Sequence, residues 1–133
     1  MISLKSRKRI HIILKFAGES MYRPVIVVHG GAGTWHPERQ KPGIEGVKNA
    51  ALEGFKILAV GGSALDAVEM AVTCLEDNEV FNAGKGSTLT IDKRVEMEAS
   101  IMDGKTLKAG AVGLLRDLKN LSLIHISEPT RPY

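Results

Sequence analysis

FNAGKGSTLTIDKRVEMEASIMDGKTLKAGAVG, residues Phe81 to Gly113, decides how the whole chain is read. It opens on Phe81-Asn82-Ala83-Gly84-Lys85-Gly86. In this turn small residues let the backbone bend tightly and bring its own carbonyls or amides close to a ligand. Two runs suited to strands follow, Ser87 to Asp92 and Val95 to Met102. Asp103-Gly104 then supplies a tight connection to a returning strand over Lys108 to Leu115. From Arg94 to Met102 the side chains alternate, with Val95, Met97, Ala99 and Ile101 on one face and Glu96, Glu98 and Ser100 on the other. Glu96 and Glu98 resemble a pair of catalytic acids, but two residues apart on a strand they simply share a solvent-facing side.

Working back from Phe81, Leu75 to Gly86 connects a helix to these strands. That helix starts at Ser63, whose hydroxyl can accept a hydrogen bond from a first-turn amide, and Asp66 favours the positive end of the helix dipole. Its apolar face is expected to be Ala64, Leu65, Ala67, Val68, Ala71, Cys74 and Leu75. Asp66 and Glu69 need no catalytic role, because carboxylates in an early turn are accounted for by capping and a solvated face. An earlier helix is predicted from Ile44 to Val60, with Val47, Ala51, Phe55 and Leu58 at helical spacing and Gly61-Gly62 as its stop. Thr34 to Gly43, with Trp35, Pro37 and Pro42, reads as a loop. Pro24 to Val28 reads as a buried strand running into His29-Gly30-Gly31-Ala32-Gly33. This second glycine-rich turn resembles a phosphate cradle, but no GK[ST] follows and no helix starts at once, so a nucleotide site is poorly supported. His29 fits a hydrogen-bonded structural histidine at a strand end better than a catalytic base, since no neighbouring histidine or carboxylate completes a triad.

Composition narrows the function classes. An apolar share of 44% in 133 residues is enough for a core. The net charge of +3 comes from residues 1–20, which carry five basic side chains against one acidic. Residues 21–120 carry twelve basic and thirteen acidic. The part expected to fold is not basic, so no nucleic-acid partner is expected. Cys74 is the sole cysteine, which excludes an intrachain disulfide and points to a reducing, cytoplasmic setting. Its place in an apolar helical pattern suits core filling rather than a reactive thiol. Nothing approaches the ~20 apolar residues of a membrane span, and no membrane partner is expected.

Four motifs carry a resemblance: HGGAG at 29–33, SALDAV at 63–68, FNAGKG at 81–86 and MDGKTLKAGAV at 102–112. In their order and spacing the chain closely resembles the isoaspartyl peptidase and plant-type L-asparaginase family of N-terminal-nucleophile hydrolases, from about Met21 to Asn120. The resemblance implies an α/β fold, the N-terminal and incomplete part of a four-layer αββα sandwich. It implies that Gly30, Gly31 and Gly33 lie in the floor of the active site. It also implies that a sodium ion is held by the main-chain carbonyls of Leu75, Glu76, Asn78, Phe81, Ala83 and Lys85, with no organic cofactor. Asn82 has two competing readings, an amide that orients the nucleophile or its water, and a turn-forming asparagine.

The family makes one precursor that cuts itself before a threonine, whose freed amine then serves as base for its own hydroxyl. That threonine, the oxyanion-hole donors and the substrate-clamping Arg and Asp are expected beyond this chain. Thr34, Thr73, Thr88, Thr90 and Thr106 lie in none of the corresponding contexts. The expected whole enzyme hydrolyses the small substrates L-asparagine or β-aspartyl dipeptides, as a homo-oligomer of cleaved α and β chains, and this chain alone is expected to be inactive. Rival readings are a glycosylasparaginase-like amidohydrolase and a non-catalytic α/β binding module using the two glycine-rich turns. Residues 1–20 read as an upstream extension from a misassigned start, in preference to a targeting or binding arm. Leu121 to Arg131 matches one reading frame of a transposon-end adapter used in sequencing libraries, so 121–133 is set apart and His125, Glu128 and Thr130 carry no functional weight.

Overall fold

The computed structural model of the chain describes residues 23–116. The extension 1–20 and the tail 121–133 set apart above lie outside the described residues. The elements in order are α1 (Pro37–Ala59), α2 (Ala64–Glu76), a single 3-10 turn (Gly84–Gly86), β1 (Met97–Met102) and β2 (Ala109–Leu115). Mixed helix and strand in this proportion is a partial α/β domain.

α1 begins seven residues before the predicted start at Ile44, so much of the expected loop Thr34–Gly43 is helical. Pro37 occupies the first helical position, where a missing amide costs nothing and the fixed φ is already helical. Pro42 lies inside the helix and removes one backbone donor. The turn around it is held by tertiary contact: Gly43 lies against the Trp35 ring, and Gln40 Nε2 donates to the Trp35 carbonyl at 3.2 Å. At the other end Gly61 takes φ +84. Its amide donates to Leu58 (3.1 Å) and that of Gly62 to Ile57 (2.9 Å), the paired closure that a left-handed glycine allows. α2 starts as predicted, with Ser63 accepting from the Asp66 amide at 3.1 Å.

The core consists of Ile26, Val28, Val47, Ala50, Ala51, Phe55, Ala67, Ala71 and Phe81. α1 faces it with small residues, and at Gly54 the helices nearly touch. A Cβ there would lie 2.6 Å from the Ala67 carbonyl oxygen and 2.5 Å from Ile26 Cδ1. The apolar face expected for α2 is narrower in fact, because Ala67 and Ala71 are buried whereas Val68 is 45% exposed. Cys74 and Leu75 pack at the core's edge, as the pattern predicts.

The predicted strands fare unequally. β1 and β2 pair antiparallel, with Ala99 opposite Val112 and Met102 opposite Ala109. The alternation holds, since Met97 is buried and Glu98 and Ser100 are exposed. The register slips between Met97 and Ala99. Leu114, at φ +55, lies in the extra length of β2, as in a β-bulge. The turn is closed by Asp103, whose carboxylate accepts from the Lys105 amide (2.9 Å) and the Thr106 hydroxyl (2.6 Å). Those bonds, the Thr106 hydroxyl first, hold the Asp103 carboxyl below the ordinary carboxylate range. Pro24–Val28 and Ser87–Asp92, by contrast, have no ladder among the described residues. Burial still alternates in the first run, with Ile26 and Val28 in the core and Val25 and Val27 more than half exposed. In the second, Thr90 accepts from Lys93 and donates to Arg94 (2.9 and 2.8 Å), so the chain reverses where a strand was expected to continue.

Candidate functional site

The two glycine-rich turns, fifty residues apart in sequence, meet on one aromatic ring. Phe81, 5% exposed, stacks edge-on against Trp35 with ring centroids 5.9 Å apart. A Cβ on Gly30 would lie 2.9 Å from Phe81 Cε1 and 2.6 Å from Val47 Cγ2, and one on Gly46 would lie 2.7 Å from Phe81 Cε2. Glycine at 30 and 46 therefore lets the first turn and α1 close around the ring. Gly31 needs glycine for another reason, φ +108, and space around it and Gly33 is open. His29 is exposed, and its Nδ1 accepts from the Gly31 amide at 3.3 Å, which matches the structural role expected of it.

Anchored by that ring, residues 76–86 fold back on themselves. The Glu76 carbonyl abuts Gly84, and the Phe81 carbonyl abuts Gly86, where a Cβ would also come within 2.7 Å of the Glu79 carbonyl oxygen. No side chain could stand at either position. Of the six carbonyls expected to hold sodium, Leu75 accepts from the Asn78 amide (3.2 Å), Asn78 from Phe81 (3.1 Å) and Ala83 from Gly86 (3.1 Å). Asn78 and Ala83 each keep a second lone pair, while the Leu75 oxygen is also reached by the Asp77 amide. Lys85 is exposed and its ammonium lies 3.5 Å from Asp77 Oδ1, an oxygen that is buried and holds no hydrogen bond. A loop rich in close-packed carbonyls fits a hard cation, which prefers oxygen ligands. Among the described residues no group of three or more His, Cys, Asp or Glu is placed to hold a metal.

Asn82 is exposed, and its Oδ1 accepts from both the amide (2.8 Å) and the hydroxyl (3.1 Å) of Thr88. The side-chain oxygen thus closes the turn, and its amide nitrogen is left for other work. Asn82, Ser87, Thr88, Glu96 and Leu114 are among the residues lining an open cavity of about 490 Å³ between this turn and the hairpin. Glu96 is bound to the Arg116 guanidinium, with Nε at 3.0 Å. The hydroxyls of Thr88, Thr90 and Thr106 are committed to Asn82, the Arg94 amide and Asp103, and none has a basic partner of the kind a nucleophile needs.

Arg39 is the residue that sequence reading missed. From the first turn of α1 its Nη2 donates to the carbonyls of Val80 (2.6 Å) and Glu79 (3.2 Å), forty residues away. A basic residue in a helix's first turn, against the dipole, was the available signal.

Comparison with known proteins sharpens this picture. A family model described as Asparaginase matches residues 22–125. The chain is 60% identical over 96 residues to the plant-type L-asparaginase of Pyrococcus horikoshii, which covers 71% of this chain and 31% of that protein. It is 53% identical over 98 residues to the isoaspartyl peptidase/L-asparaginase of Xenopus laevis, covering 74% and 32%. With the isoaspartyl peptidase/L-asparaginase of Rattus norvegicus it shares 56% over 97 residues, covering 72% and 29%. The chain spans about a third of the length of these curated relatives. Among the described residues no helix is long and apolar enough to cross a membrane.

Proposed function

From its place in the asparaginase family, to which this chain belongs, we propose that the whole protein hydrolyses the side-chain amide of L-asparagine or the isopeptide bond of β-aspartyl dipeptides. The observation that carries this reading is the meeting of the two glycine-rich turns on Phe81, which presents Asn82 at an open cavity. The chemistry asks for a nucleophile activated by a nearby base. In this proposal a threonine freed by self-cleavage attacks the amide carbonyl, its own amine takes the hydroxyl proton, and ammonia or an amino acid departs. Water then hydrolyses the ester and restores the threonine. In this proposal the reactive threonine is not among this chain's own threonines, and the chain by itself is expected not to turn over substrate.

Within that enzyme, residues 23–116 form part of an αββα sandwich and serve as floor and brace. Gly30, Gly31 and Gly33 let the backbone pass close under the substrate, and the Asn82 amide nitrogen orients the nucleophile or its water. The carbonyls of Leu75, Glu76, Asn78, Phe81, Ala83 and Lys85 would hold a sodium ion. When bound, sodium supplies rigidity to the loop that carries Asn82 and takes no part in bond-making. No organic cofactor is needed. The mature enzyme is a homo-oligomer of α and β chains in the cytoplasm.

The test compares two proteins. The 133-residue chain, given asparagine or a β-aspartyl dipeptide, is expected to release neither ammonia nor aspartate. A clone of the locus extended to the length of the relatives is expected to split before a threonine and to release aspartate from either substrate, with ammonia from asparagine and the second amino acid from the dipeptide. Turnover by the short chain would overturn the placement of the nucleophile. An extended, folded protein that neither splits nor hydrolyses either substrate would overturn the hydrolase reading.

A further inference from the structure

We infer that Arg39 is a positioning residue for the loop 76–86, engaging two carbonyls that the cation set leaves out so that the loop is shaped to receive sodium. The inference rests on the sodium site proposed above. Arg39 Nη2 donates to the carbonyls of Glu79 and Val80, and neither belongs to the six carbonyls assigned to the ion. An oxygen already holding a guanidinium is closed to a second cation by repulsion between like charges. The contact therefore sorts the loop's oxygens into those turned to the protein and those left for the ion.

The location of the arginine supports this role. Arg39 stands in the first turn of α1, where the positive end of the helix dipole disfavours a cation. A pair of carbonyls from a distant loop offsets that cost with charge-assisted hydrogen bonds. Trp35, four residues earlier, meets Phe81 in the same loop, so the ring and the guanidinium clamp neighbouring residues of it. A lysine could supply the charge but not the planar array of donors.

Amide hydrogen exchange and sodium titration of the full 133-residue chain test the inference. In choline chloride, the loop amides of Phe81, Gly86 and Ser87 are expected to exchange about tenfold faster in Arg39→Ala than in the wild type, equivalent to about 1.4 kcal/mol. Arg39→Lys is expected to fall between the two, and it serves alone should the alanine variant not fold. Arg94→Ala, whose guanidinium has no partner among the described residues, is the control and is expected to change nothing. Replacing choline by sodium is expected to raise the thermal midpoint of the wild type, with about tenfold more sodium needed by Arg39→Ala. Unchanged loop exchange in both Arg39 variants overturns the inference, as does a loosened loop whose sodium requirement equals the wild type's. Faster loop exchange in the variant with no sodium response in the wild type sustains Arg39 as the brace and overturns the sodium reading instead.

Discussion

Replacing Phe81 by alanine is expected to destabilise the chain by about 3–5 kcal/mol. The magnitude follows from the ring's surroundings. Phe81 is 5% exposed, and burying such a side chain contributes ~1.5–3 kcal/mol. Its edge-on contact with Trp35 at 5.9 Å adds ~0.5–1.5 kcal/mol. The remainder is the void left between Gly30, Gly46 and Val47, which a methyl group cannot fill. Since folded domains are stable by only ~5–15 kcal/mol, the loss is a large share of the total. Urea unfolding followed by fluorescence measures it directly, because Trp35 is the sole tryptophan and lies on the ring being removed. Phe81→Leu, which keeps apolar volume but drops the ring, is expected to lose less. Ile91→Ala, at a site 97% exposed, is expected to stay within ~0.5 kcal/mol of the wild type. An unfolding midpoint for Phe81→Ala equal to that of Ile91→Ala would refute the claim that the two turns are joined through this ring.

Three further outcomes are expected. Ser63→Ala removes the acceptor for the Asp66 amide and is expected to cost about 1 kcal/mol in the same urea experiment. Asp103 has a folded pKa below its unfolded value, so its contribution to the hairpin is complete above the unfolded pKa and is lost as pH falls through the folded one. An NMR titration should place its midpoint below that of an ordinary aspartate, and Thr106→Val, which removes the largest cause, should raise it. The Cys74 thiol is pushed up by partial burial first, then by Glu53 and Asp77, against a smaller opposing effect of Lys56. Alkylation at pH 8 should accordingly be slower in the folded chain than in urea, and equal rates would contradict that placement.

Features set by neighbours in sequence were readable in advance. Ser63 caps α2 three residues from its donor, Gly61-Gly62 closes α1 on its own last turn, and Asp103 folds the hairpin with Lys105 and Thr106. What depended on distant partners was not. Pro42 reads as a breaker, yet α1 passes through it where Trp35 and Phe81 brace its first turns. Pro24–Val28 has the composition of a strand, but a strand is defined by a partner, and none lies among the described residues. At the site, the glycines and Asn82 were identifiable as residues. That Gly30 exists to admit Phe81, that Asn82 spends its oxygen on Thr88, and that Arg39 reaches Val80 are facts of tertiary structure, with spacings no local pattern carries.

The glycines along the buried side of α1 have one more effect. Gly43, Gly46 and Gly54 are each unfavourable in a helix interior by about 1 kcal/mol relative to alanine, so this segment is a poor helix when solitary. It becomes a good one only once an indole, a benzyl group and a facing helix occupy the grooves those missing methyl groups leave. Circular dichroism of the chain is thus a gauge of something remote from α1: the negative ellipticity at 222 nm deepens when the 76–86 loop has docked, and weakens when it lets go.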